Sequence, residues 1–270
     1  MRSPMFVVAL IVALGVWGLR NFCIVWRLKP ILPHHTWFYI VYWVLAFSYP
    51  IARVIESIGL NAHVPIVIGG VVIGLQVYLF LGFFVTEILR IALRFSGRGI
   101  QDVGTAWTVL IAVVIVFIVG FVNSITPITR RLTVEAPGID EGLRIAFASD
   151  LHLGHVVGRG RAEKLAEMMS AEKPDIILFG GDIVDEDVKP VMRKDMAAPF
   201  HELQPKYGIV AVAGNHEHIG GAEKNIGYLE KTGMTVLRDS SIVVGDFVIA
   251  GREDLSAHMF GTPKRKPLDK

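Results

Sequence analysis

The 270-residue chain has a single cysteine, Cys23, which excludes a disulfide-stapled scaffold. It also lacks a broad basic surface, because its formal net charge is only +2. Residues 1–129 carry 8 Lys/Arg against 3 Asp/Glu, and residues 130–270 carry 19 against 22, so the more polar half is mildly acidic. That balance excludes a nucleic-acid partner held by general electrostatic attraction. Acids are scarce in the first half, where only Glu56, Glu87 and Asp102 occur. No relay of ionisable groups runs through the apolar stretches, which argues against a proton or ion transporter. No Gly-x-x-x-x-Gly-Lys-Ser/Thr loop is present, and Gly158-Arg-Gly160 lacks the third glycine of a dinucleotide fingerprint. Intrinsic disorder is excluded by a 52% hydrophobic content.

Four apolar stretches fill the first half, at about 5–28, 36–52, 64–88 and 106–125. Each approaches the roughly 20 residues that cross a bilayer core. The first carries Arg20 in its second half, where the aliphatic stem of an arginine lets its head group snorkel to the membrane surface. No small-x-small cleavage site follows this stretch, so it reads as a retained helix rather than a signal peptide. Gly70 and Gly74 have the Gly-x-x-x-Gly spacing of a close helix crossing. Arg27, Lys29, Arg90, Arg94 and Arg98 share one side, with Arg20 nearby, against Arg2, Arg53, Arg130 and Arg131 on the other. The positive-inside bias then places both termini, and the polar half, outside the cytoplasm.

The organisation read from this pattern is a transmembrane region over 1–126, a linker over 127–140 and an α/β domain over 141–270. Pro127, Pro137 and Gly138 break any regular pattern in the linker. Beyond it, short apolar runs at 143–148, 176–179, 209–213 and 235–237 predict strands. Helical spacing predicts helices over 161–171 and 223–231, and residues 242–244 and 247–250 read as a hairpin turning at Gly245-Asp246. Strands alternating with helices give a layered α/β domain.

Three of the predicted strands end in polar clusters: Asp150-Leu-His152, Gly181-Asp182 and Gly214-Asn215-His216. Ligands of α/β sheets gather beyond the carboxyl ends of strands. Carboxylates, an amide and imidazoles converging there are donors suited to Mn, Fe, Mg or Zn. In Asp150-x-His152, a turn leaving the strand can aim both side chains at one ion. The glycines before Asp182 and Asn215 remove bulk where backbone must approach a ligand.

These blocks, Leu143-Arg-Ile-Ala-Phe-Ala-Ser-Asp-Leu-His-Leu-Gly154, Lys173-Pro-Asp-Ile-Ile-Leu-Phe-Gly-Gly-Asp-Ile-Val-Asp185 and Tyr207-Gly-Ile-Val-Ala-Val-Ala-Gly-Asn-His-Glu217, resemble the calcineurin-like metallophosphoesterases. The membrane half and the Gly251-Arg-Glu-Asp254 block resemble the membrane-attached bacterial branch of that family. The resemblance implies a four-layer α/β/β/α sandwich behind four transmembrane helices. It implies two divalent metal ions, with Asp150 and His152 holding one, Asp182 bridging both and Asn215 holding the second. His216 would stand beside the phosphate as stabiliser or acid. Asp254 would help to shape the pocket, whereas Asp185, His155 and His218 match no role.

The implied activity is hydrolysis of a phosphoester or pyrophosphate bond by metal-activated hydroxide, on a phosphate-containing substrate that a membrane location would make lipid-linked. One departure is clear. The family pattern closes with a further histidine and a Gly-His-x-His block, whereas this chain has only His258 after Gly251. The expectation from sequence is thus a domain incomplete at its C-terminus. The alternative to an active enzyme is a truncated or degenerate, catalytically weak membrane protein with an interaction role.

Overall fold

A computed structural model of the protein describes residues 4–95, 99, 101–135 and 142–267. The chain divides into two compact units, Met1–Thr126 and Pro127–Lys270. Arg2 and Arg98 of the charge bias, and Pro137 and Gly138 of the linker, lie outside the described residues.

The first unit contains α1 (Pro4–Leu28), a short 3-10 turn (Lys29–Ile31), α2 (Thr36–Ser57), α3 (His63–Phe95) and α4 (Asp102–Ile125). All four helices are long and apolar enough to cross a membrane. Large side chains cover their outer surfaces: Ile11, Val16 and Val119 are all more than 60% exposed. That arrangement suits a hydrocarbon solvent rather than water.

Small residues set the helix contacts, but not the glycines that the motif singles out. A Cβ on Gly70 would meet nothing within 4 Å, and one on Gly74 would meet only Phe117 Cε2, at 3.3 Å. The close crossing is instead at Gly69, where a Cβ would lie 2.7 Å from the backbone of Tyr49 on α2. Gly82 plays the same part against Val109 of α4, at 2.8 Å. The spacing of a Gly-x-x-x-Gly marks a helix tolerant of glycine, but the neighbouring helix decides which glycine is used.

Arg20 has partners inside the bundle. Its guanidinium donates to Gln76 Oε1 at 2.8 Å and lies 4.4 Å from the centre of the Trp17 ring. Asn21 and Tyr42 bond to each other at 2.9 Å in the same part of the bundle, and Asn21 and Gln76 are buried. A hydrogen-bond partner on a facing helix competes with the headgroup layer for such an arginine.

The second unit contains β1 (Ile145–Ala148), α5 (Arg159–Ala171), β2 (Ile176–Phe179), α6 (Val188–Arg193), α7 (Ala198–His201), β3 (Ile209–Val212), α8 (Asn215–Ile219), α9 (Ala222–Lys231), β4 (Met234–Leu237), β5 (Ser240–Val244) and β6 (Phe247–Gly251). Strands β1 to β4 form one parallel sheet in sequence order, and β5 pairs antiparallel with β6. Period-two alternation splits the central strands between two cores. Ile177, Phe179, Ile209 and Ala211 pack with Ala166, Met169, Val191, Phe200 and Leu229 from the helices. Ile176, Leu178, Val210 and Val212 face the hairpin residues Ile242, Val244 and Ile249.

The hairpin therefore covers one face of the parallel sheet, and the helices cover the other. Coverage fails at the β1 edge, where Ile145 is 48% and Phe147 65% exposed. Helices α6 and α7 have no strong periodic signal in the sequence. Both are short, and Asp187 caps α6 by accepting the Lys189 N–H at 3.0 Å.

Candidate metal centre

Parallel strands bring three carboxyl ends to one edge of the sheet, and the loops beyond them interlock. The segment after β1 runs beside the segment after β2. The Asp150 N–H donates to Gly181 O at 3.1 Å, the His152 N–H to Asp182 O at 2.9 Å and the Leu153 N–H to Ile183 O at 2.9 Å. The Asp185 N–H returns a bond to Leu153 O at 2.9 Å. Asp150, His152 and Asp182 hold φ values of 58°, 49° and 51°. Left-handed backbone is uncommon for residues with side chains, and its concentration on three candidate ligands is strain held by the surrounding bonds.

The β2 and β3 loops meet through glycine. Gly181 has φ 97°, and a Cβ there would lie 2.8 Å from Gly214 N. A Cβ on Gly214 would strike Asp182 Oδ1 at 2.2 Å. The two glycines thus make room for each other's loop.

Glu217, unassigned from its sequence context, ties this meeting together. It is fully buried, and its carboxylate accepts the N–H groups of Asp182 at 3.0 Å, Val184 at 2.8 Å and Gly214 at 2.8 Å. Burial pushes its carboxyl above the ordinary range, and the three backbone donors oppose that rise. In return the His216 N–H donates to Asp182 Oδ1 at 2.9 Å. Asp182, 9% exposed, is therefore fixed through its main chain and its side chain alike. A glutamate following Asn-His is unremarkable in sequence. Its only signal was its place at the third position of a helix that starts after Gly214, where such a side chain can reach back to the loop.

Donor atoms of His152, Asp182 and His216 all lie within 4.8 Å of one another. The rings of His152 and His216 pack edge to face at 4.4 Å between centres. Two imidazoles and a carboxylate at this separation fit a divalent transition ion by number and chemistry. Asn215 is the first residue of α8 and sits half-buried beside this group. Asp150 is exposed, and the three-residue cluster forms without it. Asp185 instead approaches the cluster: its Oδ1 is 3.1 Å from His216 Nδ1 and 3.8 Å from His152 Nδ1. A carboxylate on one ring nitrogen sets the tautomer and aims the other nitrogen. The loop between β2 and α6 supplies this contact, and the sequence offered only its proximity to Asp182.

Behind the site, His218 and Glu253 form a buried pair at 2.8 Å, and Arg238 reaches the other Glu253 oxygen at 2.8 Å. The pair ties α8 to the segment after β6. Asp254, beside it, accepts from the Ser256 N–H at 2.7 Å and from the Ser256 hydroxyl, so its carboxylate is engaged locally. His155 is half-buried on the loop before α5, outside the cluster.

Fold and cluster together define the class: a parallel α/β domain with metal-ligating side chains beyond its strand ends, in a chain whose other unit is four apolar helices. Residues 143–261 match the calcineurin-like phosphoesterase family, and this part of the chain is a calcineurin-like phosphoesterase domain. An uncharacterized metallophosphoesterase of Aquifex aeolicus is 36% identical over 135 residues, 49% of this chain and 51% of that protein. A transmembrane protein with metallophosphoesterase domain from Danio rerio is 29% identical over 166 residues, 57% of this chain and 38% of that protein. The phosphodiesterase YaeI of Escherichia coli is 33% identical over 123 residues, 42% of this chain and 44% of that protein. The chain thus spans about half, or less, of the length of these relatives. No solved structure matches.

Proposed function

We propose that the protein is a membrane-anchored, divalent-metal-dependent phosphoesterase, with the domain at 141–270 hydrolysing a phosphoester or pyrophosphate bond. The carrying observation is the His152, Asp182 and His216 cluster, with all donor atoms within 4.8 Å at the carboxyl edge of the sheet. In this reading Asp150, His152, Asp182 and Asn215 would hold two divalent ions, with Asp182 serving both, and His216 would stand beside the phosphate. Bound divalent ions would supply charge neutralisation on the phosphoryl oxygens and activation of water.

The protein's own groups do the rest. Asp185 holds His216 Nδ1, which leaves Nε2 to donate to a phosphoryl oxygen or to protonate the leaving group. Glu217 keeps the Asp182 and Gly214 loops at the separation the site needs. A substrate linked to lipid suits a domain attached to membrane helices, and the loop arginines favour the extracytoplasmic side. A reporter fused after Lys270 tests the side: activity in the cytoplasm overturns it.

The alternative, an interaction role with little catalysis, is favoured by one observation, the exposure of Ile145 and Phe147 on the β1 edge. Purified full chain, supplied with Mn and a generic phosphodiester, separates the two. Hydrolysis abolished by Asp182→Asn supports the enzyme. Metal bound at this site without hydrolysis supports the interaction role, and metal content indifferent to Asp182→Asn sinks the assignment of the centre.

A further inference from the structure

The first unit carries a groove of about 490 Å³ between α1 and α3, walled by Phe22, Phe80, Phe83 and Phe84. This volume is that of a ligand pocket. Trp26 and Arg27 close one end of it, and the same two residues open a second hollow of about 360 Å³ lined also by Lys29, Pro30, His34 and Asp102. An apolar slot therefore continues into one that also carries charged side chains. We propose that this composite groove binds a phospholipid with an anionic headgroup, one acyl chain lying against the phenylalanines and the phosphate meeting Arg27 and Lys29.

Depth supports the arrangement. α1 ends at Leu28, so Trp26, Arg27 and Lys29 stand at the end of a span, where tryptophan and basic residues occupy the headgroup layer. α3 has 33 residues, a length of roughly 50 Å, against a hydrocarbon core of about 30 Å. Its last turns must extend beyond the core. An ion pair between Arg27 and Glu87 fixes those turns beside the end of α1. The slot below that pair faces acyl chains, and the hollow above it faces headgroups.

Charge selects the occupant. Arg27 is paired with Glu87, and Arg90 with Asp102, whereas Lys29 makes no ion pair among the described residues. His34 adds a further donor on the same wall. With Arg90 neutralising Asp102 from outside the lining, one positive charge is left over, that of Lys29, so an anionic headgroup gains more here than a zwitterionic one. Phe22 and Trp26 stack obliquely, with ring centres 6.1 Å apart, and give the groove a rigid rim.

The inference rests on the reading of the first unit as membrane-embedded, and one assay separates the two. The full chain is purified in detergent, phosphatidylglycerol or phosphatidylcholine is added, and retained lipid is counted by native mass spectrometry. Phosphatidylglycerol should be retained about fivefold more than phosphatidylcholine. Lys29→Gln, at an exposed position that folding does not need, should remove that preference. Cys23→Trp, which fills the slot from an exposed wall position and leaves every charge in place, should reduce retention of both lipids. Equal retention of the two lipids, or a preference unchanged by Lys29→Gln, would overturn the site. Retention untouched by Cys23→Trp would do so as well. Release of the chain from membranes without detergent would instead overturn the membrane reading.

Discussion

The two halves answer the same observation in opposite ways. In the helical unit, Val16 and Val119 are 63% and 61% exposed, and that exposure costs nothing where lipid is the solvent. In the α/β unit, Phe147 at 65% marks a sheet face that the hairpin leaves bare. Buried polar groups differ as sharply. Arg20 and Gln76 share one hydrogen bond, and each keeps a buried nitrogen without a partner. Glu217 collects three backbone donors. A helical bundle satisfies its own backbone, so its side-chain polar contacts are optional supplements. Loops at sheet ends cannot, and one carboxylate there carries the geometry of a site.

That contrast breaks most readily at Glu217. Glu217→Ala strands three N–H groups, two of them buried, and should cost about 3 to 5 kcal/mol of stability in the α/β unit. Hydrogen exchange of the β2 and β3 amides would report it. Asn21→Ala in the bundle should cost about 0.6 kcal/mol, the usual worth of a side-chain bond between membrane helices. Similar costs at the two positions would end the distinction.

Metal binding sharpens the comparison within the α/β unit. Asp182→Asn should lose more metal than Asp185→Asn, because Asp182 offers its carboxylate to the cluster while Asp185 only faces the ring of His152, 3.8 Å from its Nδ1. Removing an orienting carboxylate lowers metal affinity by about 10- to 100-fold, and loss of a ligand should exceed that. Equal metal content in the two variants refutes the assignment of Asp182 as a metal ligand.

What the sequence revealed follows from this difference in physics. Apolar length displayed all four spans, and alternating apolar runs displayed the six strands, because each signal repeats over many residues. Asp150, His152, Asp182, Asn215 and His216 stood out because unusual residue types fell at strand ends. Glu217 and Asp185 did not, since their meaning depends on loops separated by some 30 positions meeting in space. Gly69 was passed over for the motif at Gly70 and Gly74 for the same reason: its partner, Tyr49, is on another helix.

In the bundle, Gly69→Leu should open the α2–α3 crossing at a cost of about 1 to 3 kcal/mol. Gly70→Leu, with open space around its Cβ, should be near neutral. All five tryptophans lie in the helical unit, so fluorescence during thermal unfolding in detergent follows this half alone. Equal effects would mean that the glycines act through helix propensity and not through packing.

A small, pH-dependent effect is expected at Asp254. Partial burial raises its carboxyl, but the bonds from the Ser256 hydroxyl and N–H outweigh that and hold it below its ordinary value. A carboxyl that titrates lower in the folded chain stabilises it above the unfolded value of about 3.9, and that contribution fades as pH falls through the folded value. Asp254→Asn should therefore cost less than about 1 kcal/mol near neutrality, discounted for solvent access, and almost nothing in strong acid. Urea unfolding of both chains, followed by exchange of the β6 amides at each pH, measures the difference. A loss that stays constant into acid would mean that Asp254 works by shape alone. A loss that grows with acidity would mean that its carboxyl is raised by burial, with Ser256 too weak to offset it.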